Sequence, residues 1–116
     1  MKEFMFIFTG PYYEDLDMSM ETAQAHTQKW FNWVQDLTNK GIYVSGKPLV
    51  RESGKVVSGK DAVVTDGPFA ESKELVGGYF IIKADNIDDA VAVAKDFPDF
   101  ELGGSVHVRE VQVMHM

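Results

Sequence analysis

An α+β fold is what the sequence predicts, on three observations. Two segments with helical apolar spacing and cap signals interrupt strand-like runs in the order β-α-β-hairpin-β-α-β. The length, 116 residues, suits one domain. Two of the strand-like runs are apolar on successive residues, which predicts a sheet covered on both faces.

Residues 2–9 read as the first strand, with Phe4, Phe6 and Phe8 alternating with Met5 and Ile7. A polar, proline-containing loop follows over 10–18. The first helix is expected over 20–40, with Ser19 as N-cap, Glu21 in the first turn and Gly41 as the stop. Ala23, Trp30, Val34 and Leu37 form its apolar stripe, and His26 lies at the stripe's edge. Residues 42–49 read as a second strand broken by Gly46 and Pro48. Turn signals at Ser53-Gly54 and Ser58-Gly59-Lys60-Asp61 predict an extra hairpin over 51–64, ended by Asp66-Gly67-Pro68. A strand over 77–84 leads to a second helix over 87–97, capped by Asp85 or Asn86 and stopped by Pro98. The last strand is expected over 106–114.

This order is that of a split βαβ, or ferredoxin-like, βαββαβ unit: an antiparallel sheet with both helices on one face. The helices can cover only that face. The apolar residues left on the other predict a homodimer in which two sheets stack into a dimeric α+β barrel. No second domain, linker, repeat or low-complexity tract is read.

Composition narrows the function classes. Apolar residues make up 45 % and charged residues 25 %, as in ordinary globular domains. There are no cysteines, which removes disulfides, thiolate zinc sites and cysteine nucleophiles and favours a cytoplasmic setting. The net charge of −7 repels phosphate backbones, and the 11 Lys and Arg are scattered, so no nucleic-acid partner is expected. The opening apolar run is too short for a signal peptide and carries Glu3. No run has the ~18 apolar residues of a membrane span.

The segment Asp66-Gly67-Pro68-Phe69-Ala70-Glu71-Ser72-Lys73-Glu74 resembles the signature of the YCII-related, or DGPF, family, which usually has Thr at the place of Ser72. The resemblance extends to the N-terminal strand, the aromatic first helix, Gly77-Gly78-Tyr79-Phe80, and Pro98 ahead of a Gly-Gly-Ser. The last strand, His107-Val108-Arg109-Glu110, keeps the family's Arg but has His107 for an acid and Glu110 for a proline. The resemblance implies a ferredoxin-like, usually dimeric fold with a cleft between sheet and helix. It implies no single reaction. Some relatives resemble enzymes that act on small aromatic or lactone compounds with a His and an Asp, and others resemble accessory proteins of bacterial sigma factors.

The residues themselves suggest a site. Asp66-Gly67-Pro68 is turn chemistry first, and the loop that follows would present Asp66, Glu71 or Lys73 to a cleft. His26, beside an aromatic wall, suits a general acid or base near neutral pH, with Asp66 to orient it. His107 and Arg109 share strand parity and would bind an anionic ligand, Arg109 through its planar fork. Trp33 is the more available of the two tryptophans as a ligand platform, with Trp30 in the core. Structural roles compete at each position: a border histidine, a buried Arg–Glu71 pair, a solvated charge run. The histidines at 26, 107 and 115 lack metal-ligand spacing, and no phosphate or dinucleotide fingerprint occurs. The expected function is cofactor-independent acid/base chemistry on a small acidic or aromatic molecule. The alternative is a non-catalytic ligand-sensing or protein-binding module linked to sigma-factor regulation.

Overall fold

The structure, a computed structural model, describes residues 1–67 and 75–115. Its elements are β1 (Lys2–Thr9), α1 (Met20–Asn39), β2 (Tyr43–Pro48), β3 (Lys55–Ser58), β4 (Val63–Asp66), β5 (Val76–Ala84), α2 (Ile87–Ala94) and β6 (Ser105–Glu110). Two 3-10 turns, Tyr13–Asp15 and Phe100–Leu102, lie between them. Neither is visible in the sequence pattern.

Four strands form one sheet in the order β2-β5-β1-β6, with every neighbouring pair antiparallel. This is the predicted split βαβ arrangement. The extra hairpin is β3–β4, a separate two-stranded sheet exposed at every position. No helix of the described residues is long and apolar enough to cross a membrane.

Each helix starts where the sequence says it should. The Ser19 hydroxyl accepts from the Thr22 amide at 3.1 Å, and the Asn86 side chain accepts from the Asp89 amide at 2.9 Å. Gly41 ends α1 with φ +74°, a conformation that a Cβ would disfavour. α2 stops at Ala94, earlier than expected. Pro98 pushes the residue before it out of the helical region, and the amides of Asp96 and Phe97 tighten onto the carbonyls of Val93 and Ala94. β6 ends at Glu110, not 114: Glu110 faces Phe4, one further bond joins the Val111 amide to the Glu3 carbonyl at 2.9 Å, and the pairing stops although β1 itself begins at Lys2.

The core lies between the sheet and the two helices. Phe4 and Phe6 are fully buried, and with Phe8, Phe80 and Ile82 they meet Trp33, Leu37, Ala90 and Ala94. The buried line of α1 is His26, Trp33 and Leu37, so His26 sits on the core face and not at its edge. The opposite face of the sheet carries the other strand parity. Across it, Lys47, Tyr79, Ile7 and His107 stand in register, as do Ser45, Ile81, Met5 and Arg109. The central strands thus supply apolar, half-buried side chains, and the edge strands supply polar ones.

Candidate functional site

The site is built on the helix side of the sheet, where α1, the loop after β1 and the turn after α2 converge. Phe8 and Phe80 rise from the sheet, and Trp30 projects from α1. Their rings pack edge to face, Phe8 to Trp30 at 4.9 Å and Trp30 to Phe80 at 5.7 Å. Beside them opens a cavity of about 590 Å³, a size that accommodates a small organic molecule. Tyr12, Tyr13, Phe31, Tyr43 and Asp99 also border it. Gly46 is needed here, since a Cβ would collide with the Phe80 ring and lie 2.8 Å from the Tyr43 hydroxyl.

Asp99 is the polar centre of the wall. Its carboxylate accepts from the Tyr13 hydroxyl, 2.9 Å to Oδ1 and 3.0 Å to Oδ2, and from the Trp30 indole N–H at 3.0 Å. Behind it stands His26, only 5 % exposed. His26 Nδ1 lies 3.3 Å from Asp99 Oδ1, and Nε2 lies 3.3 Å from Glu101 Oε1. The Nδ1 approach has ion-pair distance without hydrogen-bond alignment, so Nδ1 has no hydrogen bond among the described residues. Glu101 is mostly exposed and also meets Lys29 at 3.2 Å. The imidazole therefore stands between a carboxylate on the cavity wall and one at the surface.

Tyr13 keeps its proton firmly. Burial is the first cause that pushes its phenol up, followed by the hydrogen bond to Asp99 and that carboxylate's charge. Tyr12 holds the mouth of the cavity together, donating to the carbonyls of Leu49 at 3.1 Å and Val76 at 3.3 Å.

A family model for the YCII-related domain matches residues 5–115. The chain belongs to the YCII-related family. Among solved structures, its fold is similar to that of 5-chloro-2-hydroxyhydroquinone dehydrochlorinase (TftG) from Burkholderia phenoliruptrix AC1100, in complex with 2,5-dihydroxybenzoquinone. The TM-score is 0.50 at 15 % identity, over 94 % of this chain and 93 % of that one, and at this identity the likeness is one of fold. No curated protein matches the chain.

Within this family fold, the residues singled out in the sequence do not form one cluster. The acid beside His26 is Asp99. Asp66 lies at the end of β4, exposed and paired with Lys55 across the hairpin. His107 and Arg109 are in register with Ile7 and Met5, so they project from the sheet face opposite His26. Sequence parity placed them together correctly but could not say which face they share. The tryptophans exchange roles: Trp33 is 5 % exposed and stacks on Phe6, whereas Trp30 borders the cavity. Glu71 and Lys73 lie outside the described residues. No group of three or more His, Cys, Asp or Glu among the described residues is placed to hold a metal ion. Sequence reasoning missed Asp99 and Tyr13. The available signal was His26 itself, because a histidine in line with Trp33 and Leu37 must be buried and must find a polar partner.

Proposed function

We propose that the chain is an enzyme that moves a proton on a small aromatic molecule held in the helix-side cavity, without an organic cofactor. Asp99 is the group that meets the substrate. One observation carries this reading: Asp99 borders the cavity and also stands 3.3 Å from His26, whose other nitrogen faces solvent-exposed Glu101. A proton taken up by Asp99 then has a route through the imidazole to Glu101 and water once a small rotation of the ring aligns Nδ1 with Oδ1. Tyr13 and Trp30 fix the carboxylate by hydrogen bonds, and the aromatic wall orients a planar ring against it. His26 is a relay and positioning residue here, since it does not border the cavity.

The fold likeness to a dehydrochlorinase captured with a benzoquinone supports a ring substrate and a step that begins with proton loss. In an elimination of that kind on a hydroxylated ring, the keto tautomer, with chlorine on a saturated carbon, loses its hydroxyl proton to the base, a carbonyl forms, the ring double bond shifts, and chloride departs with its electron pair. An acidic substrate loses its support, because Arg109, the expected anion anchor, lies on the other face of the sheet.

The test is proton exchange from D2O and chloride release across a panel of hydroxylated and chlorinated benzenes, for wild type, Asp99→Asn and His26→Gln. Asp99→Asn is expected to lose about 100-fold or more in rate, with a smaller loss for His26→Gln. Undiminished turnover by Asp99→Asn removes Asp99 from the chemistry. Binding without turnover of any compound favours the ligand-sensing alternative.

We also infer that a second copy covers the open sheet face. Met5, Ile7, Tyr79 and Ile81 form an apolar centre there, with charged groups only at its borders, an arrangement that can pair with itself about a two-fold axis. In that assembly His107 and Arg109 belong to the subunit interface and not to the cavity.

A further inference from the structure

The hydrogen-bonding groups of the cavity wall are unevenly spent. Most side-chain donors already serve the protein. The Tyr13 hydroxyl and the Trp30 N–H both go to Asp99. The Tyr12 hydroxyl goes to the carbonyls of Leu49 and Val76. The Thr27 hydroxyl goes to the Ala23 carbonyl at 3.0 Å, and Thr9 is paired with Ser105 at 2.6 Å. Tyr43 and Tyr79 are the wall tyrosines whose hydroxyls have no partner among the described residues, and register with Ile7 and Lys47 turns the Tyr79 side chain to the other face of the sheet.

The acceptors are less committed. A phenol that donates its single hydrogen keeps two lone pairs, so the hydroxyl of Tyr13, a residue of the cavity wall, retains acceptor capacity. An ionised carboxylate has about four lone-pair sites, and Asp99 takes only the hydrogens of Tyr13 and Trp30 in hydrogen-bond geometry. Glu14 adds a second carboxylate at the rim. Lys47 also borders the cavity, but its register with Tyr79 turns its side chain to the other face of the sheet. The described wall therefore presents carboxylates, hydroxyls that are spent apart from that of Tyr43, and no cationic side chain.

We propose that this cavity selects uncharged aromatic compounds bearing at least one hydroxyl, which donate to the Tyr13–Asp99 wall, and that it discriminates against aromatic carboxylates and against rings that only accept. It rests on the cavity being the substrate site. A ligand hydroxyl placed against Asp99 gains a charge-assisted bond, whereas a ligand carboxylate or ether oxygen leaves Asp99 buried without that partner. The same contact places the ligand's acidic proton on the relay to His26. Among the described residues, Tyr43 is left as the wall hydroxyl able to donate to a second, carbonyl-like substituent.

Isothermal titration of the wild-type protein with three matched rings tests this: 2,6-dihydroxynaphthalene, 2,6-dimethoxynaphthalene and naphthalene-2,6-dicarboxylate. The diol is expected to bind about tenfold or more tighter than either of the others. Asp99→Asn, which offers an amide N–H in place of a carboxylate oxygen, is expected to narrow the gap between diol and dimethoxy ring. Tyr13→Phe, which keeps the carboxylate, is expected to retain the preference for the diol over the dicarboxylate. Equal or tighter binding of the dicarboxylate or the dimethoxy ring overturns the selectivity while leaving the cavity as a site. Binding of none of the three by the folded protein overturns the cavity as an aromatic site, and with it both proposals.

Discussion

Tyr13 shows how a single residue ties stability to the site. Its hydroxyl spans both oxygens of Asp99, its ring meets His26 at 5.9 Å, and its phenol is raised above the usual 10.0, with burial as the largest cause. Tyr12 and Tyr43 are raised as well, again chiefly by burial. In the unfolded chain these phenols ionise near their ordinary value, while the native state holds their protons. Above about pH 10 the native state therefore binds more protons than the unfolded one, and stability falls as pH rises. Below that pH the contribution is fully present. Urea midpoints measured from pH 8 upward are expected to drop beyond about pH 10, and Tyr13→Phe is expected to drop less steeply. Parallel profiles for the two proteins would show that Tyr13 is not a source of the slope. The sequence made His26 legible as a residue of interest because a helix has a period. It could not reveal Asp99, which reaches His26 from a 3-10 turn that has no periodic signature. The tryptophans were misassigned for a related reason: a small error in helix phase moves Trp33 from the rim to the line it shares with His26 and Leu37.

At the scale of elements, local rules decided nearly everything. Ser19 was readable as a cap and the second cap as Asp85 or Asn86; Ser19 and Asn86 are the side chains that accept the amide hydrogen capping requires. Asn86 has the greater leverage, because α2 has only eight residues and carries Ala90 and Ala94 into the core. Asn86→Ala is expected to cost about 1 kcal/mol of stability, read as a lower urea midpoint at unchanged slope. An unchanged midpoint would mean that the amide bond at Asp89 is replaced by water without loss. Element ends were less legible than starts. The end of α2 depended on Pro98 acting backward through the chain, and the end of β6 on where its pairing with β1 stops, two residues short of the start of β1. The second is a tertiary fact, and no local sequence rule encodes it.

As a whole, the molecule is flatter than its length requires. Its radius of gyration is 15.9 Å, against about 13 Å for a compact domain of this size. One axis spans only 19 Å, which is a sheet with a single helix layer. The two-layer architecture was legible from element order, and the unpaired apolar face from the two strands that lack polar alternation. Which side chains lie on each face depends on register, and register appears only in the fold. Light scattering after size exclusion is expected to give twice the 13.0 kDa chain mass. Ile81→Glu, which places a charge at the centre of the open face, is expected to return the single-chain mass while leaving ligand binding on the helix side intact. A wild-type protein at the single-chain mass would exclude the stacked dimer.

The acids on either side of the His26 ring, Asp99 and Glu101, come from one short segment. The carbonyl of Asp99 receives the amides of Leu102 and Gly104, so the backbone of the 3-10 turn sets the separation of the two carboxylates. The pair behaves as a cassette. Insertions in the hairpin or the strand connections can accumulate without detuning the imidazole's surroundings, whereas removal of one residue from this turn would displace both acids at once. Variation among descendants of this sequence should accordingly be free in the β3–β4 hairpin and rigid in the spacing between Pro98 and Gly103.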